Sequence, residues 1–232
     1  MIDIAQLKGA IVGLIGFAAT EEQILLATCQ ARETGSPQMW AARPVVAHNT
    51  EFKSQQVHRL QAIRANQIPD DFAEVDHSDP TVYRRYAALE LSRAGADSTR
   101  VAGELIAGLA ACADEDLVDS SRHPWLRGRQ LWLQIVVRGF WHPAGHMADY
   151  YLAHGQLARG VALAAQALAT ARYLGAPNEA AGMAAYNLAC AQAQAGMLDD
   201  AAAAVRQTVA LHPGLRDKID TEPDLAALRL RR

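Results

Sequence analysis

An all-α fold is the expectation for this 232-residue chain, and three observations carry it. Alanine and leucine dominate, aromatic residues make up only 6%, and no run of β-branched residues alternates with polar ones as a half-buried strand requires.

A first helix is expected from about Asp3 to Arg32, with Ile11, Leu14, Ile15, Ile24, Leu25 and Leu26 at helical spacing and Gly35-Ser36-Pro37 as its stop. The apolar run Ala10 to Ala19 has the look of a signal-peptide core, but Asp3 precedes it and Lys8 is its only basic charge, so it reads as a buried helix. After Trp40, Pro44 opens a second helix reaching about Ala65, since proline is tolerated in a first helical turn. The segment Asn66 to Pro80 is rich in acids and helix breakers. It lacks the spaced Asp/Asn series, central glycine and terminal glutamate of a calcium loop, so it reads as a solvated connector, His77 included. Asp79-Pro80 then caps a helix to about Arg93, and Asp97-Ser98 caps another to about Cys112, with Gly95 marking a break. Trp125 to Trp141 is helical with one strongly apolar face, and an alanine-rich stretch runs from Tyr150 to Tyr173.

From Gly155 onward the chain repeats itself. GQLARGVALAAQAL at 155–168 is echoed by GMLDDAAAAVRQTV at 196–209, and each is preceded by a Tyr-x-Leu-Ala element, at Tyr150 and Tyr186. This pattern is similar to tetratricopeptide repeats, with Asn187, Leu188, Ala189, Gly196, Ala201 and His212-Pro213 at that repeat's characteristic positions. Residues Leu215 to Leu228 look like a terminal cap. The expected division is therefore a first domain at 1–154 and a tetratricopeptide-like helical extension at 155–232. One or two repeats are fewer than a free-standing array needs, so the extension is expected to pack on the first domain in a structural or dimer-forming role, with peptide binding as the alternative.

Composition removes several function classes. Half the residues are hydrophobic and 20% charged, the formal net charge is -3 and the pI is near 6.2, so no basic footprint for nucleic acid exists. The clusters Arg84-Arg85 and Leu230-Arg231-Arg232 read as solvated faces. Cys29, Cys112 and Cys190 are far apart and form no C-x-x-C pair, which argues against a disulfide framework or a thiolate metal site and suits a reducing cytoplasm. No uninterrupted apolar stretch approaches eighteen residues, so no membrane association is expected. Phosphate-binding glycine loops and the Gly-x-Ser-x-Gly elbow are also missing from the sequence.

The chemistry-bearing stretch is GFWHPAGHMADY at 139–150, which sets His142 and His146 four residues apart. On a helix those positions share a face, so two imidazoles there can grip one cation. Pro143 lies between them, and its missing N–H kinks the helix or starts a new one at Trp141-His142. A capping His142 would diverge from His146, whereas a kink, permitted by Gly139 and Gly145, would turn both inward. His48, directly after the apolar run Val45-Val46-Ala47 near the start of the second helix, is the third ligand of choice. Glu51 and Asp149 each lie one turn after a histidine, placed to orient an imidazole or to act as a general base, with plain surface carboxylates as the alternative. Arg138 stands four residues before His142, either holding an anionic group or simply exposed. The remaining histidines, His58, His123, His154 and His212, read as solvent-exposed. Trp40, Trp125, Trp132 and Trp141 are core residues in this reading, with an aromatic pocket as the other possibility.

Trp40, the apolar run into His48, and the distant His142-x-x-x-His146 resemble the DinB-like (YfiT-like) four-helix-bundle superfamily over roughly residues 1 to 154. The WLRGR element at 125–129 looks closest to its ClbS/DfsB subgroup, which is linked to self-protection against reactive natural products. The resemblance implies that His48, His142 and His146 coordinate a divalent metal in an open site, and that such bundles pair as homodimers. Zinc or nickel fits three imidazoles and iron is also open; the free coordination positions would admit water or a low-molecular-weight thiol, either of which a metal can convert to a nucleophile.

The residues and the resemblance point to two function classes. One is a cytoplasmic metal-dependent enzyme that acts on a small reactive electrophile by thiol transfer or hydrolysis, in detoxification or self-resistance. The other is a non-catalytic protein that sequesters a small molecule, with the helical repeats serving dimerisation or scaffolding.

Overall fold

A computed structural model of the chain describes residues 2–29, 35–37, 39–70 and 80–230. His77, the acidic part of the connector at 71–79 and the terminal Arg231 and Arg232 lie outside the described residues. Among the described residues every regular element is helical, and the sole β feature is an isolated bridge between Ser36 and Met39. The all-α expectation holds. Packing groups the chain into two units, residues 3–143 and residues 144 onward with Ile2.

In the first unit, α1 (Ile4–Thr28) starts at a reciprocal cap. The Asp3 carboxylate accepts the Gln6 backbone N–H at 2.8 Å, and the Gln6 side chain accepts that of Asp3. Its buried stripe is Leu7, Ile11, Ile15, Ala18, Glu22, Leu25 and Leu26. By length and composition α1 is apolar enough to cross a bilayer, and here it packs against other helices of its own unit. Helix α2 (Ala42–Arg64) begins two residues ahead of Pro44 and closes at Asn66, whose φ of +53° lets the Gln67 N–H reach back to the Ala62 carbonyl.

Helices α3 (Pro80–Ala87) and α4 (Leu91–Ala110) depart from expectation. The break falls at 88–90, and α4 runs unbroken through Gly95. A Cβ there would lie 3.3 Å from both Gln23 and Leu26 of α1, and the Gln23 amide donates to the Gly95 carbonyl. Gly95 is thus a packing glycine that lets two helices approach. Ser98 caps nothing; it is buried and donates to Glu22.

Cross-contacts give the helix directions. Lys8 reaches the Cys112 carbonyl and Gln23 that of Gly95, so α1 and α4 are antiparallel. Gly108 abuts Leu60, while Ser98 shares Glu22 with Lys53, so α2 and α4 run parallel. Two parallel neighbours require a long crossover, which residues 65–90 provide. After the short α5 (Asp114–Val118) and a 3₁₀ turn at Pro124–Leu126, the expected helix at Trp125–Trp141 starts only at α6 (Leu131–Val136). Arg127 and Gly128, both at positive φ, turn the chain before it. Segment α6 and the π-helical turn Val137–Trp141 that extends it pack on α1 and α2.

At the heart of α1, α2 and α4 lies a fully buried ion pair. Lys53 Nζ donates to Glu22 Oε2 at 2.5 Å, and Ser98 Oγ donates to the same oxygen at 2.5 Å. Burying two charges is costly, so the pair matters most as a constraint: neither partner can be lost alone.

The second unit takes in most of α7 (His142–Ala153), then α8 (Leu157–Tyr173), α9 (Asn178–Gln194), α10 (Leu198–Leu211), α11 (Arg216–Thr221) and α12 (Ala226–Arg229), the last two each preceded by a 3₁₀ turn. The sequence sets the boundary at 154/155, whereas packing places α7 beyond residue 143 with the C-terminal helices. The reason is Gly160, where a Cβ would stand 2.6 Å from Leu152 and 3.0 Å from the Ala148 carbonyl, so α8 lies directly against α7. Helices α7, α8 and α9 end alike. Gly155, Gly175 and Gly196 take φ values of +75°, +67° and +76°, and in each case the next N–H returns to the carbonyl five residues back.

Four stability outcomes are expected in urea unfolding. Gly139→Ala places a Cβ 2.9 Å from the buried Ile15 side chain and destabilises by about 1–3 kcal/mol, whereas Gly9→Ala, with nothing within 4 Å, stabilises by about 0.5–1 kcal/mol. Lys53→Met leaves the Glu22 charge buried without its cation and costs about 3–5 kcal/mol, and adding Glu22→Gln recovers most of that loss.

Candidate metal centre

His48 is fully buried on α2, and its neighbours are aromatic. The Phe52 ring lies 4.6 Å from it, Trp40 and Tyr86 stand edge-on at 5.5 and 5.6 Å, and Phe52 also contacts the His142 ring at 4.5 Å. Such walls lower the local dielectric and strengthen whatever polar contacts remain.

The turn before His142 brings it to His48. The His142 N–H bonds the Val137 carbonyl, five residues back, which is π rather than α spacing. Pro143 has no N–H to offer, and its ring would collide with the carbonyl four residues back in a regular α-helix. The wider turn absorbs that conflict. An extra residue in the turn rotates the downstream helix by about 100° relative to an uninterrupted α-helix. Of the two outcomes left open for Pro143, the diverging cap at His142 is not the one adopted: the helix continues through a π turn, and both His142 and His146 turn toward His48.

The result is a close pair. His48 Nε2 and His142 Nε2 lie 2.9 Å apart. His146 comes one turn later on the same continuous helix, and the ligand nitrogens of all three histidines lie within 4.8 Å of one another. Two nitrogens bound at right angles about 2.1 Å from one ion would stand about 3.0 Å apart, so the pair has ligand spacing. His48 is buried, and His142 and His146 are half-buried.

The outer nitrogen of His48 is also specified. Its Nδ1 lies 3.4 Å from the Tyr86 hydroxyl, which donates at 2.5 Å to Glu51 Oε2 and accepts from Arg85 Nη2 at 2.9 Å. Burial first, and then the Glu51 carboxylate, raises the Tyr86 pKa, with Arg85 opposing, so the phenol stays protonated. With its proton on Glu51, the Tyr86 oxygen is an acceptor that suits the Nδ1–H tautomer of His48, the tautomer whose Nε2 lone pair faces His142. Imidazole, phenol and carboxylate in series form the kind of outer support that metal-ligating histidines use.

Glu51 therefore reaches His48 through Tyr86 and not directly. Asp149 makes no hydrogen bond to an imidazole among the described residues. It keeps solvent contact, but its carboxyl is crowded by the fold and by Asp224 and Glu222; burial first, then those like charges, pushes its pKa up to about 6. Arg138 lays its guanidinium over the Phe52 ring at 4.3 Å, at the edge of the aromatic wall. Of the other histidines, His58 and His154 are exposed and His212 is half-buried. His123 is a correction: it is 7% exposed, its Nε2 bonds the Asp116 carbonyl at 3.0 Å, and its ring packs on Trp125. Trp132 and Trp141 are buried as core residues, while Trp40 and Trp125 are half-buried.

Sequence reasoning missed Tyr86 and Arg85. The available signal was Tyr83 and Tyr86 one turn apart on an otherwise polar short helix, a spacing that puts two aromatic rings on one face. No protein family, curated protein or solved structure matches this chain, and its function is read from the site's own chemistry.

Asp149 yields a pH signature. Its folded pKa lies above the ordinary carboxylate value, so the stability its protonated form contributes is present in full below about pH 4 and lost as pH rises through about 6. Asp149→Asn should therefore melt higher than the parent at pH 7, and the difference should shrink by pH 4 in thermal scans across that window.

Proposed function

We propose that His48, His142 and His146 hold one divalent metal ion, zinc or nickel with iron also admitted by the donor type, and that the protein is a metal-dependent enzyme. Its substrate in this reading is a small reactive electrophile, processed by thiol transfer or hydrolysis in cytoplasmic detoxification or self-resistance. The observation that carries the proposal is the convergence of the three imidazoles, with the Nε2 atoms of His48 and His142 at 2.9 Å. The resemblance to the DinB-like superfamily supplies the reaction class, and the tetratricopeptide-like reading of the C-terminal helices belongs to the same proposal, as does a homodimer.

The donor set fits such an ion: three neutral nitrogens and a tautomer that Tyr86 suits. When bound, the ion supplies an electrophilic centre that activates water or a low-molecular-weight thiol. The chain's own residues do the rest. Glu51 keeps the Tyr86 proton, Tyr86 fixes His48, and Trp40 and Phe52 exclude water from the buried side. Half-buried His142 and His146 mark the side from which a substrate enters in this reading.

A second reading is sequestration without turnover, and the aromatic cluster of Trp40, Tyr83 and Tyr86 beside His48 favours it. Elemental analysis of protein purified without an affinity tag separates metal from no metal. About one equivalent of ion per chain is expected, lost in His48→Ala and His146→Ala, with Tyr86→Phe weakening affinity by about tenfold or more. A chain that takes up neither zinc, nickel nor iron on reconstitution overturns the metal reading. Turnover of a model electrophile that stops on chelation supports the enzyme. Stoichiometric protection that survives chelation assigns sequestration instead.

A further inference from the structure

A cleft of about 440 Å³ opens on the first unit between α2, α3 and α4, within the size range of small-molecule sites. Tyr86 lines it together with apolar Ala47, Leu89 and Val101, and its charged lining is Arg85, Arg93 and Arg100 with Glu51 and Asp97. With Glu104 on Arg100, three guanidinium groups stand against three carboxylates, so what the cleft offers an anion depends on which arginine donors are already taken.

Those charges are unevenly paired. Arg100 is committed, with Nη1 on Glu104 at 2.8 Å and Nη2 on Asp97 at 3.2 Å. Asp97 is thereby already matched, and Arg93 approaches it only through Nε at 3.5 Å, leaving both terminal nitrogens of Arg93 without a hydrogen bond among the described residues. Arg85 bonds Glu51 and Tyr86 through Nη2 alone, which leaves Nη1 and Nε open. A guanidinium carries five donors and binds oxyanions best through two at once. The Arg85 and Arg93 side chains are 58% and 71% exposed, and ion pairs at that exposure contribute little, so an incoming anion gives up little in competing with them.

We propose that this cleft binds a small oxyanion with a short apolar body, a carboxylate or a phosphate monoester, held by the open donors of Arg85 and Arg93 with the body against Leu89 and Val101. The site lies outside the three-histidine group and needs no ion. Isothermal titration of the chelator-treated full chain with phenyl phosphate and, separately, with phenylacetate tests it, and chelation keeps the outcome independent of whether the histidines bind metal.

Saturable one-to-one binding of at least one probe is expected, weakened about tenfold in Arg93→Gln and further in the Arg85→Gln, Arg93→Gln pair, and weakened by added salt. The Arg93 side chain is 71% exposed and its ion pair, with Asp97, is a surface one, so its variant is expected to keep the fold and the test stands even if the double variant fails to fold. Binding of phenyl phosphate alone names a phosphate ester as the ligand class, and binding of phenylacetate alone names a carboxylate. The proposal is overturned if neither probe saturates up to about 10 mM, if Arg93→Gln binds as tightly as the parent, or if benzyl alcohol binds as well as phenyl phosphate.

Discussion

Pro143 withholds one backbone N–H, and the candidate metal centre depends on how the helix accommodates that loss. A regular α-helix would drive the proline ring into the preceding turn. By closing at π spacing, with the His142 N–H on the Val137 carbonyl, the chain relieves the clash and turns His142 toward His48. Gly139 lets this turn lie close on α1, because a Cβ there would stand 2.9 Å from the Ile15 side chain. A local backbone defect and a close helix contact thus jointly aim one imidazole. π turns recur at functional sites for this reason: they re-aim side chains without ending the helix.

The same logic of mutual constraint runs through the first unit. Glu22, Lys53 and Ser98 tie α1, α2 and α4 together at one buried point, which holds α2 in rotation and so holds His48 on the face turned toward His142. Two residues before Lys53 along α2, Glu51 points the other way and joins Tyr86 and Arg85. Tyr86 joins the two features: its ring packs beside His48, its oxygen meets Nδ1, and it also lines the cleft that holds Arg85, Arg93 and Arg100. One short helix, α3, serves both features.

The C-terminal unit obeys a simpler rule. Three successive helices end on a glycine at positive φ, and glycines at 160 and 182 sit where a Cβ would lie 2.6 Å from Leu152 of α7 and 2.5 Å from His212 just past α10. Small residues at the contacts and a uniform closure let alanine-rich helices of similar length stack closely, and the resulting core is largely alanine and leucine. Near it, Tyr186 donates to Glu222, Gln194 donates to Asp224, and Asp149 stands among these acids.

Helix class and rough extent were determined by the sequence alone, because composition and a 3.6-residue period act locally and repeatedly. The sequence also nominated His48, His142 and His146 as a group, from the i,i+4 pair, the place of His48 and the family resemblance, and the structure brings their ring nitrogens within 4.8 Å of one another. The unbroken helix at Gly95, the burial of His123 and the route from Glu51 to His48 were not legible. Each depends on the groups a distant segment places opposite: the Gln23 and Leu26 side chains, the Asp116 carbonyl, and the Tyr86 hydroxyl. Pro143 shows the division most clearly. Its chemistry announces a disturbed helix, yet a cap, a kink and a π turn all satisfy a missing N–H; only the tertiary structure, in which this turn lies close on α1 at Gly139, shows the π turn and the direction in which His142 points.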